Sequence, residues 1–256
     1  MTAHPVARYL PLLIAGDEGG LRDLFEGPPR INDPHVGWVE ESRFDLFVEN
    51  SHQGLRARSA TVEHISTTAT SAGATEECVL ALVLAGVRIL LPVAIASDTS
   101  PDALLASIRI YHSMQPLLGF HLLRAPVLPV LAALVLPDVV GRYQDCLARG
   151  DLSGILEQFA PQGELREPGG AGHVHRGPTE LRRFFTLLFS NGGGLGLEHC
   201  AVANEGGSSA LEYVVTRWGR SPLTHQAAAA VYERADTGLL AEVRMYDDIE
   251  HPLRAN

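Results

Sequence analysis

Apolar positions recur along this chain with two different periods, and the two alternate in a fixed order. From Val6 to Ile14, and again from Val139 to Ala148, the apolar residues fall on one side of a helix. Gly16 and Gly150 stand where a left-handed residue ends a helix, and Asp17 and Asp151 are placed to cap a second short one. A brief strand follows, ending at an Asp-Pro or Glu-Pro step. A third helix is clearest over Thr179 to Phe189, with Pro178 at its start. The remainder of each half is β-rich. In the second half the runs are Leu195–Ala203, Ala210–Trp218, Ala227–Glu233 and Leu239–Tyr246, and in the first Ala60–Thr68, Glu76–Leu84, Ile89–Ala96 and Leu104–Tyr111. Helices first and antiparallel strands afterwards predict an α+β domain with helices on one face of a curved sheet.

The grammar is written twice. Ala7-Arg8-Tyr9 and Gly16-Asp17 return as Gly141-Arg142-Tyr143 and Gly150-Asp151 at an offset of 134, and Asn32-Asp33-Pro34 returns as Arg166-Glu167-Pro168 at the same offset. Val62-Glu63-His64 returns as Leu197-Glu198-His199, Glu77 as Glu212, and Arg109-Ile110-Tyr111 as Arg244-Met245-Tyr246, now at 135. A period this long predicts two domains of one fold, over 1–124 and 137–256. The connector between them is apolar and proline-spaced, which predicts a packed segment.

Composition narrows the function. The 256 residues carry 20 Lys and Arg against 30 Asp and Glu, a formal net charge of −10, which argues against a nucleic-acid partner. The 3 cysteines are too few for a disulfide framework, so a cytoplasmic location is expected. No basic, then apolar, leader opens the chain, and the apolar stretch Ala125–Val140 is broken by Pro126, Pro129 and Pro137, so no membrane association is expected. His173 and His175 lack further ligands at suitable spacing and read as a pocket-rim loop, not a metal site; no cofactor is expected. The glycine run from Gly192 to Gly196 follows a helix and precedes a strand, the reverse of a dinucleotide fingerprint, and reads as a connecting loop.

The second half resembles the nuclear transport factor 2-like superfamily, and within it the SnoaL-like polyketide cyclase and ketosteroid isomerase branch. The resemblance rests on Gly141-Arg142-Tyr143, Gly150-Asp151, Phe159-Ala160-Pro161, Arg166-Glu167-Pro168, Gly177-Pro178, Leu211-Glu212-Tyr213, Ala230-Val231-Tyr232 and Arg244-Met245-Tyr246-Asp247-Asp248. The first half is similar through Ala7-Arg8-Tyr9, Gly16-Asp17, Asp33-Pro34 and Arg109-Ile110-Tyr111. The resemblance implies two tandem cones joined as an intramolecular pseudo-dimer, monomeric or again dimerised. It implies a tyrosine that donates to a substrate oxygen, Tyr9 and Tyr143, with an acid in the Asp-Pro position as base, Asp33 and Glu167. The isomerases' further acid, due near 92–94 and 227–230, is absent, which argues against ketosteroid isomerisation itself. Epoxide-opening relatives imply a glutamate partner about thirty residues on, Glu63 and Glu198.

The residues support related chemistry on their own terms. Asp33 shares a strand face with Ile31, and Glu167 with Leu165, so each carboxylate points with an apolar neighbour; desolvation would then poise it as an acid or base. The alternative is a solvated rim acid or a local cap. Tyr9 and Tyr143 are either oxyanion donors or core-edge residues. Strict alternation puts Glu63 with Ile65 and Glu198 with Cys200, which leans the glutamates inward. Glu77 and Glu212 read as buried acids paired with Arg109 and Arg244. The expected activity is cofactor-independent acid–base catalysis in secondary metabolism on a small apolar polyketide- or terpenoid-like molecule: cyclisation, isomerisation or epoxide opening. The rival is a non-catalytic binding or interaction module on the same fold.

Overall fold

The computed structural model describes residues 4–170 and 172–250. The chain divides into two compact units, Met1–Phe120 and His121–Asn256. Segment 121–136 therefore belongs with the second unit.

In the first unit, α1 (Tyr9–Ala15) and α2 (Glu18–Arg22) precede the short strands β1 (Ile31–Asp33) and β2 (Gly37–Val39). The long α3 (Phe44–Ala57) is followed by β3 (Thr61–Thr70), β4 (Gly73–Leu84), β5 (Val87–Thr99), β6 (Leu105–Tyr111) and one turn of helix, α4 (Gln115–Leu118). The sheet order is β2-β1-β6-β5-β4-β3, antiparallel throughout except where β1 runs parallel to β6.

The second unit repeats this plan. It runs α5 (Asp138–Arg149), α6 (Leu152–Leu156), β7 (Phe159–Arg166), β8 (Val174–Arg176), α7 (Gly177–Leu188), β9 (Leu195–Glu205), β10 (Ser208–Trp218), β11 (Ser221–Arg234) and β12 (Leu240–Tyr246). Its order is β8-β7-β12-β11-β10-β9, with β7 parallel to β12. The repeat inferred from the sequence is thus a repeat of topology, strand for strand.

Local signals set the helix ends. Gly16 and Gly150 both adopt φ 70°, a left-handed cap that an L side chain would strain. Asp17 and Asp151 then accept hydrogen bonds from the Gly20 and Gly154 N–H at 2.8 and 2.9 Å, satisfying an otherwise orphaned donor of the next helix.

Each unit packs its helices on one sheet face. In the first, Tyr9, Leu10, Leu13, Phe44 and Val48 meet Cys78, Leu80, Val93, Ile95, Ile108 and Ile110. In the second the interior is aromatic: Tyr143, Phe159, Phe184, Phe185, Tyr213 and Tyr232. Tyr143 sits at its centre, 5.9, 6.3 and 5.6 Å from the rings of Phe159, Phe185 and Tyr232 in edge-on contacts that exceed simple area burial in strength.

Two buried arginines mark the other sheet face, and the repeat preserves their partners. Arg109 donates to Asp98 (2.6 and 3.0 Å) and to Ser107 (3.0 Å). Arg244 donates to Glu233 (2.5 Å) and to Glu242, the residues at the same repeat positions. These cross-strand neighbours carry no signal in the sequence beyond their place in the repeat. Glu77 and Glu212 are themselves buried.

The connector is bound to the second unit by backbone. Asp248 accepts from Leu122 N–H (2.7 Å) and pairs with His121 Nδ1 (2.9 Å); Ala227 N–H donates to Arg124 O and Leu131 N–H to His199 O, both at 2.9 Å. Of its apolar side chains, Leu134 and Leu136 pack against the second core, while Leu123, Val130, Leu131 and Val135 stay exposed, so the segment is packed only in part.

The glycine run is also explained by packing. A Cβ on Gly194 would lie 2.0 Å from Leu147 O and 2.5 Å from Ala148 O, at the end of α5, where only backbone stands to give way. Gly194→Ala is expected to destabilise the protein by about 1–3 kcal/mol, read as a lower Tm, whereas Gly207→Ala, with open space around it, should be near neutral.

Candidate active site

Strand alternation delivers the chemistry of the second unit. On β7, Leu165 enters the core, Arg166 turns away to donate to the Tyr246 hydroxyl (2.5 Å), and Glu167 follows on the Leu165 side. On β12, Val243 faces in, Tyr246 faces out, and Asp247 again follows inward. Glu167 Oε1 accepts from His175 Nε2 at 2.7 Å, and the His175 ring lies 4.6 Å from that of Phe184. This carboxylate–imidazole pair keeps 35% and 26% of its side-chain surface accessible, so a ligand can reach it.

Asp247 is the most perturbed acid of this unit. Its residue retains some accessible surface, yet burial dominates its carboxyl and pushes the pKa up to about 7. The nearby negative charges of Asp248 and Glu167 add to the rise, while the Ile249 N–H and His121 partly offset it. Burial also holds the hydroxyls of Tyr143, Tyr213 and Tyr232 protonated, well above the ordinary tyrosine value, and the Asp247 charge acts on the last two. An acid that titrates near neutrality can accept and return a proton at physiological pH. Sequence reasoning missed Asp247, although it lies inside the quoted Arg-Met-Tyr-Asp-Asp motif; the available signal was its position one inward step beyond Met245.

A polar chain lies beneath. Gln144 Nε2 donates to the Tyr232 hydroxyl (2.6 Å), and Gln144 Oε1 is 3.2 Å from His199 Nε2. Burial lowers the His199 pKa, which favours the neutral ring. Accepting from Gln144 leaves the Tyr232 proton free to donate elsewhere.

The two expected glutamates are not part of this interior. Glu63 and Glu198 are exposed, while their neighbours Val62 and Leu197 pack on the core. The reason is a β-bulge in each copy. Pairing passes from His64↔Cys78 to Ser66↔Glu77, skipping Ile65, and from Tyr213↔His199 to Glu212↔Ala201, skipping Cys200. Alternation counted through Ile65 or Cys200 therefore assigns the wrong face. The histidine of each Glu-His step bonds on the other face instead: the half-buried His199 toward Gln144, and His64, itself exposed, to Glu76 (2.7 Å), a buried acid that also accepts from Thr67 (2.6 Å).

The first unit places its residues differently. Asp33 lines a cavity of about 420 Å³ together with His112, which stands at the repeat position of Asp247. Asp33 Oδ1 accepts from the N–H groups of His35 (2.8 Å) and Val36 (3.1 Å), fixing the turn between β1 and β2. Tyr9 is fully buried, its hydroxyl has no hydrogen-bond partner, and burial with the Asp33 charge raises its pKa. Tyr9 is not among the residues lining the cavity. In the second unit Tyr143 is buried in the aromatic cluster, whereas Glu167 is only partly buried. Among the described residues no group of three or more His, Cys, Asp or Glu is arranged to hold a metal ion, and no helix is long and apolar enough to cross a membrane.

Residues 140–243 match the SnoaL-like domain. No curated protein matches the chain. Among solved structures, a candidate polyketide cyclase from Sinorhizobium meliloti is 21% identical over 43% of this chain and 94% of its own, with a TM-score of 0.36. An uncharacterised cystatin-fold protein from Novosphingobium aromaticivorans is 13% identical over 42% and 93% (TM-score 0.37), and a nuclear transport factor 2-like protein of unknown function from Cytophaga hutchinsonii is 13% identical over 45% and 93% (TM-score 0.34). Each of these relatives corresponds to less than half of this chain. The SnoaL-like match spans residues 140–243 of the second unit, and the chain is a tandem of two α+β domains that share one helices-then-sheet topology, each with a single parallel strand pair.

Proposed function

We propose that the second unit is a cofactor-independent acid–base catalyst acting on a small, largely apolar molecule of the polyketide or terpenoid kind, in secondary metabolism. The observation that carries the reading is Asp247, an acid poised near neutrality by burial and within electrostatic reach of the accessible, His175-bonded Glu167. Asp247 as carboxylate takes a proton from the substrate; a tyrosine hydroxyl of the cluster donates to the oxygen on which charge develops; Glu167, oriented by His175, serves as the second proton site. Isomerisation, cyclisation and epoxide opening all need this donor–acceptor arrangement, and all conserve redox state. The candidate polyketide cyclase among the structural relatives is in keeping with such a substrate.

The test is a panel of polyketide- and terpenoid-like ketones and epoxides turned over by wild type, Glu167→Gln and Asp33→Asn. Wild type should convert at least one class. Glu167→Gln should be slower by about 10–100-fold, and Asp33→Asn should stay close to wild type, because Asp33 holds a turn in the other unit. Full activity in Glu167→Gln, or no turnover of the panel by wild type, would overturn the reading.

A further inference from the structure

The two interiors are lined by different chemistry. The second is packed with aromatic rings. The cavity of the first is walled by Leu10, Leu13, Leu82, Leu91, Ile110 and Met114, and among the described residues no Phe, Tyr or Trp lines it. The repeat offset of 135 shows where the difference was written: Tyr213 and Tyr232 of the second unit correspond to Cys78 and Ser97 of the first. At about 420 Å³ the cavity falls in the size range of small-molecule sites.

Its polar lining consists of Asp33, His35, Asn50, Ser51, Arg58 and His112, with Arg58 the one arginine or lysine among them. The one acid on the wall, Asp33, already accepts two backbone N–H groups through Oδ1. His112 replaces the acid that the second unit carries at this position, and Tyr9 does not reach the wall. Arg58 stands beside the outer β4–β5 hairpin, where its carbonyl accepts from Val83 N–H (2.7 Å), and it gives one guanidinium N–H to Gly54 O (2.9 Å). The other N–H groups of an arginine fork suit the two oxygens of a carboxylate.

From these observations we infer that the first unit is a binding chamber, not a second catalytic copy, and that its ligand is a saturated medium-chain carboxylate, with the hydrocarbon chain among the leucines and the carboxylate at Arg58. A flexible aliphatic chain fills an irregular aliphatic wall more completely than a flat ring system does. This inference is independent of the chemistry assigned to the second unit.

The test is calorimetric titration of the full chain with decanoate, decanol and 2-naphthoate. Decanoate should bind saturably at one site per chain, more tightly than decanol and at least tenfold more tightly than 2-naphthoate. Arg58→Ala should weaken decanoate about five- to tenfold and leave decanol unchanged. Leu118→Trp, at an exposed wall position, should block both ligands without lowering Tm. Asp247→Asn should leave decanoate binding intact. The inference is overturned by an absence of saturable decanoate binding, by 2-naphthoate binding as tightly, by indifference to both Arg58→Ala and Leu118→Trp, or by loss of binding in Asp247→Asn, which would place the ligand in the second unit.

Discussion

Asp247→Asn is expected to slow the proton-transfer step by about 10²–10⁴-fold, the usual worth of a positioned general base, measured as kcat on whichever panel substrate wild type converts. The same change should make the protein more stable, and the sign follows from linkage. The carboxyl pKa is raised from 3.8 to about 7 in the folded protein. The folded state therefore binds this proton more tightly than the unfolded chain, and stability falls as pH rises from about 4 to about 7. Asparagine keeps the oxygen that accepts from Ile249 N–H but carries no charge to desolvate. At pH 8 the variant should exceed wild type by on the order of 3 kcal/mol, and near pH 4 the two should converge. Lower activity with higher stability is the signature of a residue kept for chemistry; a purely structural aspartate would lose both together.

The largest loss of stability is expected at Arg244. Its guanidinium is 2% exposed and serves both Glu233 and Glu242. Arg244→Met fills much of the same volume but leaves two carboxylates facing each other across β11 and β12, where Glu233 pairs with Glu242. Both keep some contact with water, 38% and 26% of their side chains, so the cost sits at the low end of that for a broken buried pair, about 3 kcal/mol. The Glu242 carboxyl is already raised by burial, and Arg244 is what pulls it down. Without the arginine its pKa rises further, the folded state binds that proton more tightly, and stability is lost as pH climbs through the carboxylate range. Chemical denaturation at pH 5 and pH 8 should show the larger deficit at pH 8. A deficit independent of pH would assign Arg244 a packing role alone.

Much of this molecule can be read from its residues because the relevant signals are local. The glycine caps, the aspartate N-caps and the β-rich runs depend on a few neighbours, and their recurrence at 134 and 135 marks two copies of one topology. What escapes is what depends on distant partners. The faces of Glu63 and Glu198 hinge on single bulge residues, Ile65 and Cys200, whose extra step is defined only by pairing with β4 and β10. Asp247 looks ordinary in a Tyr-Asp-Asp run; its burial, and the charges of His121 and Glu167 that act on it, come from distant parts of the sequence. His175, read as part of a rim loop, acquires a role only when β8 pairs with β7 and brings it to Glu167. The first-unit cavity is likewise legible only in part: the sequence aligns Cys78 and Ser97 with tyrosines, but the space enclosed is set by α1, α3, α4 and the sheet together.

Catalysis in the second unit depends on an acid poised near neutrality. The most direct measurement is the carboxyl carbon shift of Asp247 followed by NMR across pH 3 to 9, the resonance assigned by its disappearance in Asp247→Asn. A midpoint near 7 is expected, as burial dictates. A midpoint near 4, in the ordinary aspartate range, would contradict it and remove the basis for the proposed catalysis.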